Sequence, residues 1–164
     1  MKIKIKPKKI NKKNFNKFGQ IIDTSKKKYF RINNGYAKRY DNLGKINTSI
    51  KKGKTIISIF SAKTRKFPMK VDMMEKHPLG SQAFIPMKET SFLVFVAPRG
   101  SKPNLKKIKS FRIPKQTGIN LNPGIWHFPL ISTKNMNFLV VDRKGKGKNL
   151  TIHKFKKERI YLSR

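Results

Sequence analysis

Short apolar runs separated by glycine, proline and asparagine make up most of this chain, and they constrain its fold more than any other feature. Apolar runs of about five residues with turn residues between them are typical of strands in an all-β barrel or sandwich. The clearest runs are "KTIISIF" (54–60), "QAFIPM" (82–87), "SFLVFVAP" (91–98), "GIWHFPLI" (124–131) and "NFLVVD" (137–142). Their spacing and the chain length of 164 residues predict one all-β domain, residues 1–164.

The remaining segments predict an edge strand, a hairpin and one or two short helices. Lysine and isoleucine alternate in "MKIKIKP" (1–7), which predicts a strand with one exposed face that ends at Pro7. The segment "INKKNFNKFGQII" (10–22) and the segment "NLKKIKSF" (104–111) space their apolar residues at helical intervals. The pair Asn34-Gly35 tolerates positive φ and predicts a turn between two strands.

The charge of the chain suggests a nucleic-acid partner, but the residue types do not favour one. There are 41 basic and 7 acidic residues, with a formal net charge of +34, and by count 33 of the basic residues are lysines and only 8 are arginines. Arginine is the residue preferred for bidentate contacts to phosphates and bases. Lysine, asparagine and isoleucine can all be encoded by A and T alone, so codon bias explains the charge. We therefore expect no specific nucleic-acid partner.

Several classes of function are excluded by residues or patterns that the sequence lacks. Without cysteine, there is no disulfide, thiolate metal site or cysteine nucleophile. No His-Glu-x-x-His or EF-hand pattern occurs. The longest apolar run, "FLVFVAP" (92–98), is too short to cross a bilayer, and the N-terminus has no apolar stretch of signal-peptide length. The sequence predicts a cytoplasmic protein with no membrane partner.

Two stretches without any charged residue stand out in so basic a chain. They are "HPLGSQAFIPM" (77–87) and "QTGINLNPGIWHFPLIST" (116–133), and each contains one of the three histidines, His77 and His127. Imidazole titrates near neutral pH, so it can accept a proton from one group and return it to another. Two interpretations remain open from the residues alone: buried core histidines, or a pair of catalytic groups in a site that excludes ammonium groups.

Five longer strings give the chain a family resemblance. They are "FRINNGYAKRYDNLG", "EKHPLGSQAFIPM", "SFLVFVAPRGSKPNL", "GINLNPGIWHFPL" and "FLVVDR". In this order they closely resemble the ureidoglycolate lyase family, whose enzymes release urea and glyoxylate in allantoin breakdown, a part of purine metabolism. The resemblance implies a cupin-like double-stranded β-helix, that is, a jelly-roll barrel. It also implies a homodimer, a small anionic substrate and a divalent metal such as nickel.

The resemblance and the chemistry of the substrate together suggest roles for individual residues. His77 and His127 are expected to face each other and to share the acid–base work. The same two histidines and Gln82, which stands where cupins normally carry a carboxylate, are the expected metal ligands. The expected substrate-binding residues are Gln82 and Asn33 for the ureido group, Arg39 and Lys88 for the carboxylate, and Trp126 and Arg143 nearby.

Three alternatives to a lyase remain at this stage. A cupin fold can bind a small acid without turning it over, because a fold alone does not determine a function. A related enzyme could instead hydrolyse the ureido group and release ammonia and carbon dioxide. A basic nucleic-acid-binding β-barrel would explain the charge, but it would not explain the two uncharged stretches or the position of their histidines.

Overall fold

The computed structural model describes residues 2–163, and strands form most of this part of the chain. One short α-helix, α1 (Lys12–Phe15), and three 3-10 turns at Asn33–Gly35, Ile50–Lys52 and Leu105–Lys107 interrupt them. The strands are β1 (Lys2–Ile5), β2 (Lys8–Lys9), β3 (Gly19–Ile22), β4 (Phe30–Ile32), β5 (Ala37–Arg39), β6 (Lys54–Ala62), β7 (Met69–Val71), β8 (Met73–Lys76), β9 (Gln82–Pro86), β10 (Phe92–Ala97), β11 (Lys109–Ile113), β12 (Gly118–Leu121), β13 (Trp126–His127), β14 (Ile131–Ser132), β15 (Met136–Lys144), β16 (Thr151–Lys154) and β17 (Arg159–Leu162).

These strands form three sheets and one separate hairpin. The seven-stranded sheet has the order β16-β8-β13-β10-β11-β2, with β14 also paired to β10. The five-stranded sheet has the order β3-β12-β9-β15-β6, and the three-stranded sheet has the order β1-β17-β7. Strands β4 and β5 pair only with each other in the described structure. Most of the pairs are antiparallel; β1 with β17 and β2 with β11 are the parallel ones among the described strands.

The seven-stranded sheet is the middle layer, and strand β10 shows this most clearly. All six residues of β10 are buried. Successive side chains of a strand point to opposite faces. Accordingly, Phe92 and Val94 belong to an apolar cluster shared with the five-stranded sheet, whereas Leu93 and Phe95 belong to a second cluster shared with the three-stranded sheet. This double burial explains why β10 is continuously apolar, since each fully buried side chain of this kind contributes roughly 1.5–3 kcal/mol.

The structure confirms the predicted all-β class. The seven- and five-stranded sheets face each other as expected for a cupin-like jelly roll, but they do not close into a barrel. Strands β3 and β6 lie at the two ends of the five-stranded sheet, and neither continues into the seven-stranded sheet. The site described below therefore lies between two open layers.

The smaller sequence predictions are confirmed as well. Strand β1 is an edge strand that pairs with β17 alone among the described strands. Helix α1 begins after a capping box formed by Asn11 and Asn14. The turn between β4 and β5 has positive φ at Asn33, Asn34 and Gly35. Across residues 2–163, no helix is long and apolar enough to cross a membrane.

Candidate active site and metal centre

The two uncharged stretches meet at their histidines. His77 follows the last residue of β8, and His127 is the last residue of β13. Strand β13 pairs antiparallel with β8, and this pairing places His127 directly opposite Glu75. Glu75 and His77 are two residues apart and share a face, so all three side chains come together. The centroids of the two imidazole rings are 5.3 Å apart.

Backbone carbonyl groups fix both imidazole rings. Nδ1 of His77 lies 2.7 Å from the carbonyl oxygen of Asn149, and Nδ1 of His127 lies 3.1 Å from that of Ile125. A carbonyl oxygen only accepts hydrogen bonds, so each Nδ1 carries a hydrogen and donates it. In a neutral imidazole the other nitrogen, Nε2, then has a free lone pair. Both rings therefore present the nitrogen that can bind a cation or a proton.

The two Nε2 atoms converge on the carboxylate of Glu75. Oε1 of Glu75 lies 3.5 Å from Nε2 of His127 and 3.8 Å from Nε2 of His77. Both Nε2 atoms are buried and have no hydrogen-bond partner among the described residues. Buried polar atoms are normally paired, so unpaired ones at one point indicate a place for a ligand. We call Glu75, His77 and His127 the His-Glu cluster.

Within the His-Glu cluster, Glu75 and the histidines stabilise each other's charged forms. Burial alone would raise the pKa of Glu75, but its contacts with His127 and His77 lower it from 4.5 to about 2. Burial alone would lower the pKa of His77; however, the contacts with Glu75, the Asn149 carbonyl and the charge of Asp142 raise it above its usual 6.5. The cluster therefore keeps an ionised carboxylate and attracts positive charge to the imidazoles.

The five-stranded sheet supplies the opposite side of the site. Gln82 and Phe84 are alternate residues of β9, and Asp142 and Val140 are alternate residues of β15. Phe84 and Val140 point into the core between the two large sheets, so Gln82 and Asp142 point the same way. Nε2 of Gln82 donates a 3.4 Å hydrogen bond to Oδ2 of Asp142. The charge of Asp142 also contributes to raising the pKa of His77 on the other side of the site.

Two acidic residues of the site, Glu75 and Asp142, were not assigned from the sequence. Their positions are visible in it, since Glu75 stands two residues before His77 and Asp142 directly follows the apolar run of β15. In a chain with only 7 acidic residues, two carboxylates beside two imidazoles are unusual. The sequence predicted a site that excludes ammonium groups, and the structure adds two carboxylates to the predicted histidines.

The His-Glu cluster fits a divalent metal ion. Its three ligand atoms lie within 4.8 Å of one another. Nitrogen and oxygen ligands lie about 2.0–2.2 Å from such an ion, so two ligands of one ion are roughly 3–4 Å apart. Hydrogen bonds from each Nδ1 to a carbonyl are the usual way in which metal-binding histidines are oriented. Two imidazoles and one carboxylate suit zinc, nickel and similar metals.

Gln82 was the predicted third ligand beside the two histidines. In the structure, the third group that converges with them is Glu75, whose charged oxygen binds cations better than a neutral amide does. The Gln82 side chain is buried and bonded to Asp142. Metal binding by Gln82 remains a prediction.

A cleft of about 390 Å³ is lined by chain neighbours of His77, but not by the three residues of the His-Glu cluster. Lys76 and Pro78, which flank His77 in the chain, line it together with Arg99. Nε of Arg99 donates a 2.7 Å hydrogen bond to the Pro123 carbonyl, and Nζ of Lys76 donates a 2.6 Å hydrogen bond to the Gly100 carbonyl. The cleft therefore has two fixed cations at its rim, which favours the approach of an anion.

Three of the predicted substrate-binding residues are exposed. Asn33 lies in the turn between β4 and β5. Arg39, in β5, donates a 2.7 Å hydrogen bond to Asp41. Nζ of Lys88 donates a 3.3 Å hydrogen bond to the Asn135 carbonyl. The structure shows no contact between these residues and the His-Glu cluster, and their roles remain predictions.

Trp126 and Arg143 are buried on other faces of their strands. Trp126 precedes His127 on β13, so it points into the cluster shared with the three-stranded sheet, and its Nε1 donates to the Gly100 carbonyl. Nε and Nη2 of Arg143 donate to the Ile50 carbonyl, and Nη2 also donates to the Lys146 carbonyl. Both side chains have structural partners. Substrate contacts by either one remain predictions.

Comparison with known proteins agrees with the resemblance. The family model described as Ureidoglycolate lyase matches residues 2–161. A ureidoglycolate lyase of Pseudomonas aeruginosa is 42% identical over 161 residues, covering 98% of this chain and 94% of that protein. A ureidoglycolate lyase of Pseudomonas putida is 41% identical over 154 residues, covering 93% and 92%. A solved 3,4-ketoisomerase from Helicobacter canadensis has 16% identity and a TM-score of 0.44, covering 80% of this chain and 88% of that one. The chain belongs to the ureidoglycolate lyase family.

Proposed function

We propose that this protein eliminates urea from ureidoglycolate and leaves glyoxylate. Family membership and the names of the relatives support this assignment. The observation that carries it in the structure is the His-Glu cluster, where two imidazoles and a carboxylate converge. A place in allantoin breakdown and a cytoplasmic location are further parts of the proposal, and they are supported by the family alone.

The reaction breaks the bond between the central carbon and a ureido nitrogen. The hydroxyl group on that carbon loses its proton and becomes the aldehyde of glyoxylate, and the departing nitrogen gains a proton to become urea. The site must therefore hold the hydroxyl and carboxylate at one end and the ureido group at the other. The His-Glu cluster and the Gln82–Asp142 pair provide two ends of different chemistry.

We assign the His-Glu cluster to a divalent metal ion, with nickel as the candidate that the resemblance implies. A single proton can satisfy only one of the two free Nε2 atoms, whereas His77, His127 and Glu75 would together hold one metal ion. A bound metal would act as a Lewis acid that makes the hydroxyl group of the substrate more acidic. The role of the protein is then to orient His77 and His127 through the carbonyls of Asn149 and Ile125.

Acid–base catalysis by His77 and His127 is the alternative role for the same atoms. An imidazole that binds a metal through Nε2 cannot exchange a proton there, so each histidine serves one role at a time. The pKa of His77 is raised by Glu75, the Asn149 carbonyl and Asp142, and this direction favours a proton on the imidazole when no metal is bound. Metal removal separates the two roles.

The test of the proposed function is a product assay with and without a chelator. We expect the metal-loaded protein to convert ureidoglycolate into equal amounts of urea and glyoxylate without ammonia. Chelation should abolish turnover, and nickel should restore it. Full turnover after complete metal removal would favour acid–base work by the imidazoles. Ammonia in place of urea would indicate a hydrolase, and the absence of any product would indicate a binding protein.

Gln82 is proposed to contact the ureido group, as expected from the sequence. It is buried, and it lies on the sheet that faces the His-Glu cluster. Asn33 is proposed as a second ureido contact and Arg39 as a contact to the substrate carboxylate, on the basis of the sequence alone. For Arg39, replacement by lysine would remove the bidentate fork and should raise KM. An unchanged KM would remove Arg39 from the site.

We also propose a homodimer that forms through strand β6. This strand lies at the end of the five-stranded sheet, and residues 55–62 carry no charge. Ile57 and Ile59 are 71% and 52% exposed. Two molecules with a charge of +34 repel each other, so contact is favoured at a surface that has apolar side chains but no lysine. The outer edge of β6, which pairs only with β15 among the described strands, also offers free backbone groups to a second copy.

Light scattering after gel filtration tests this interface. The double variant Ile57→Lys with Ile59→Lys should be a monomer under conditions where the unchanged protein is a dimer. Tyr36→Lys is the matched control, because Tyr36 is 94% exposed in the separate β4–β5 hairpin. A dimer that persists in the double variant would show that another surface is used.

A further inference from the structure

The Gln82–Asp142 pair on the five-stranded sheet has two side-chain oxygens that accept no hydrogen bond among the described residues. Oδ2 of Asp142 accepts from Nε2 of Gln82 at 3.4 Å. Oδ1 of Asp142 and Oε1 of Gln82 are buried and have no partner among residues 2–163. Gln82 as a whole is 6% exposed. We call these two free oxygens, Oδ1 of Asp142 and Oε1 of Gln82, the acceptor pair.

The hydrogen bond between the two side chains fixes which atom of Gln82 is free. An ionised carboxylate only accepts hydrogen bonds, so the Gln82 amide must turn its NH₂ group toward Asp142. Its oxygen is then the remaining atom, and it can only accept. The two free atoms are therefore both acceptors, and a ligand that satisfies them must bring donors. An anionic group would be repelled at this end of the site.

The position of the acceptor pair relates it to the reaction. It projects from the five-stranded sheet into the space that the His-Glu cluster enters from the seven-stranded sheet. One end of the site thus suits the oxygen atoms of a substrate, and the other end suits N–H groups.

We propose that Asp142, together with Gln82, binds the N–H groups of the ureido part of the substrate and so selects ureido compounds over other 2-hydroxy acids. This inference rests on the proposed function for the identity of the substrate, and it adds Asp142 to the binding residues. A ureido group carries N–H donors on both nitrogens, and each free oxygen can accept from one of them. A hydrogen bond to a charged acceptor is stronger than one between neutral groups.

Direct binding of the two products, each titrated separately into the metal-loaded protein and followed by NMR, tests the role of Asp142 without requiring turnover. In Asp142→Asn we expect the affinity for urea to fall by about tenfold or more, the effect of losing a charge-assisted hydrogen bond. The affinity for glyoxylate should be unchanged or higher, because the variant removes a negative charge from the site. Asp23→Asn is the matched control, since Asp23 is also partly buried with a free Oδ1 but follows β3 at the end of the same sheet.

Four outcomes would overturn the inference. They are unchanged urea binding in Asp142→Asn, an equal loss of urea and glyoxylate binding, an equal loss of urea binding in Asp23→Asn, and no measurable binding of urea to the unchanged protein. Failure of the proposed function looks different: the unchanged protein would not convert ureidoglycolate, whatever the effect of Asp142→Asn on urea.

A second measurement needs no variant and guards against misfolding of Asp142→Asn. Tetramethylurea has no N–H donor and should bind the unchanged protein at least several-fold more weakly than urea. Equal binding of urea and tetramethylurea would contradict recognition through N–H groups. Metal affinity provides a further check on Asp142→Asn, because a binding residue for the ureido group should leave metal affinity within about twofold, whereas disruption of the site would lower it.

Discussion

The two sides of the site are built in different ways. On the seven-stranded sheet, His77 and His127 are each fixed by a carbonyl of the backbone, and their free atoms converge on Glu75. On the five-stranded sheet, Gln82 and Asp142 are held by each other through one long hydrogen bond. The first side has the fixed geometry that metal binding requires, whereas the second has free acceptors that a substrate can satisfy.

The two sides of the site also differ in whether another layer covers their outer face. Met74 and Trp126, the neighbours of Glu75 and His127 in their strands, are 0% and 1% exposed because the three-stranded sheet covers them. The outer face of the five-stranded sheet includes the exposed residues Ile57 and Ile59. Support from both faces keeps the His-Glu cluster in place. We therefore expect changes on the seven-stranded side to affect catalysis most and changes on the five-stranded side to affect binding most.

Replacement of the histidines should have the largest effect, which is on catalysis. His77→Ala and His127→Ala should each lower kcat by roughly 10²- to 10⁴-fold, because each removes a group that binds the metal or transfers a proton. The measurement is kcat and KM for ureidoglycolate in metal-loaded protein. His153→Ala is the matched control, since His153 packs against Trp126 on the opposite face of the sheet. Unchanged turnover in both variants would remove the histidines from the mechanism.

Replacement of Glu75 should have the next largest effect, which is on metal binding. In Glu75→Gln we expect the affinity for nickel to fall by about 10- to 100-fold or more, because the charged oxygen of the His-Glu cluster is lost. Titration calorimetry of the metal-free protein measures this affinity. Glu89→Gln is the matched control, because Glu89 is an exposed carboxylate whose partner is Gln116. Equal nickel affinities in the two variants would show that Glu75 is not a ligand.

Much of the fold was predictable because it depends on local patterns. The uninterrupted apolar run of β10 predicts that both of its faces are buried, and the alternation in β1 predicts an edge strand. The charge-free stretches predicted that His77 and His127 lie together, and the centroids of their rings are 5.3 Å apart. His77 and His127 could be paired from this signal although they are fifty positions apart.

The carboxylates were missed because their environment depends on pairing between distant strands. Nothing near Glu75 in the sequence shows that β13 pairs with β8 and places His127 opposite it. In the same way, the contact between Gln82 and Asp142 depends on the pairing of β9 with β15. The order of strands in a sheet is decided by the packing of the whole domain, and a single sequence shows it only weakly.

A smaller effect is expected on stability, which should depend on pH through Glu75 and His77. In metal-free protein, the lowered pKa of Glu75 stabilises the fold above pH 4.5, and this contribution is lost as the pH falls toward about 2. The raised pKa of His77 stabilises the fold below pH 6.5, and this contribution is lost as the pH rises through the higher pKa. The attraction between them should be greatest between these limits.

Thermal unfolding of metal-free protein and of Glu75→Gln measures this effect. The difference in Tm between the two proteins should be largest between pH 4.5 and 6.5 and should shrink on both sides. A change of about 1 kcal/mol corresponds to about 2–4 °C in a chain of this size. The same experiment with Glu89→Gln should give a difference that is flat with pH. A flat difference for Glu75→Gln would show that its carboxylate does not interact with the imidazoles.

Ionic strength should have the smallest effect, and it tests the surface rather than either side of the site. An anionic substrate is attracted to a protein with a charge of +34, and the cleft rim with Lys76 and Arg99 adds to this attraction. Salt screens charges over about 10 Å at 0.1 M. We therefore expect kcat/KM to fall by a few-fold between low and physiological salt, while kcat stays constant. If kcat/KM does not change with salt, the lysines that cover this protein do not steer its substrate, and the charge then reflects codon usage alone.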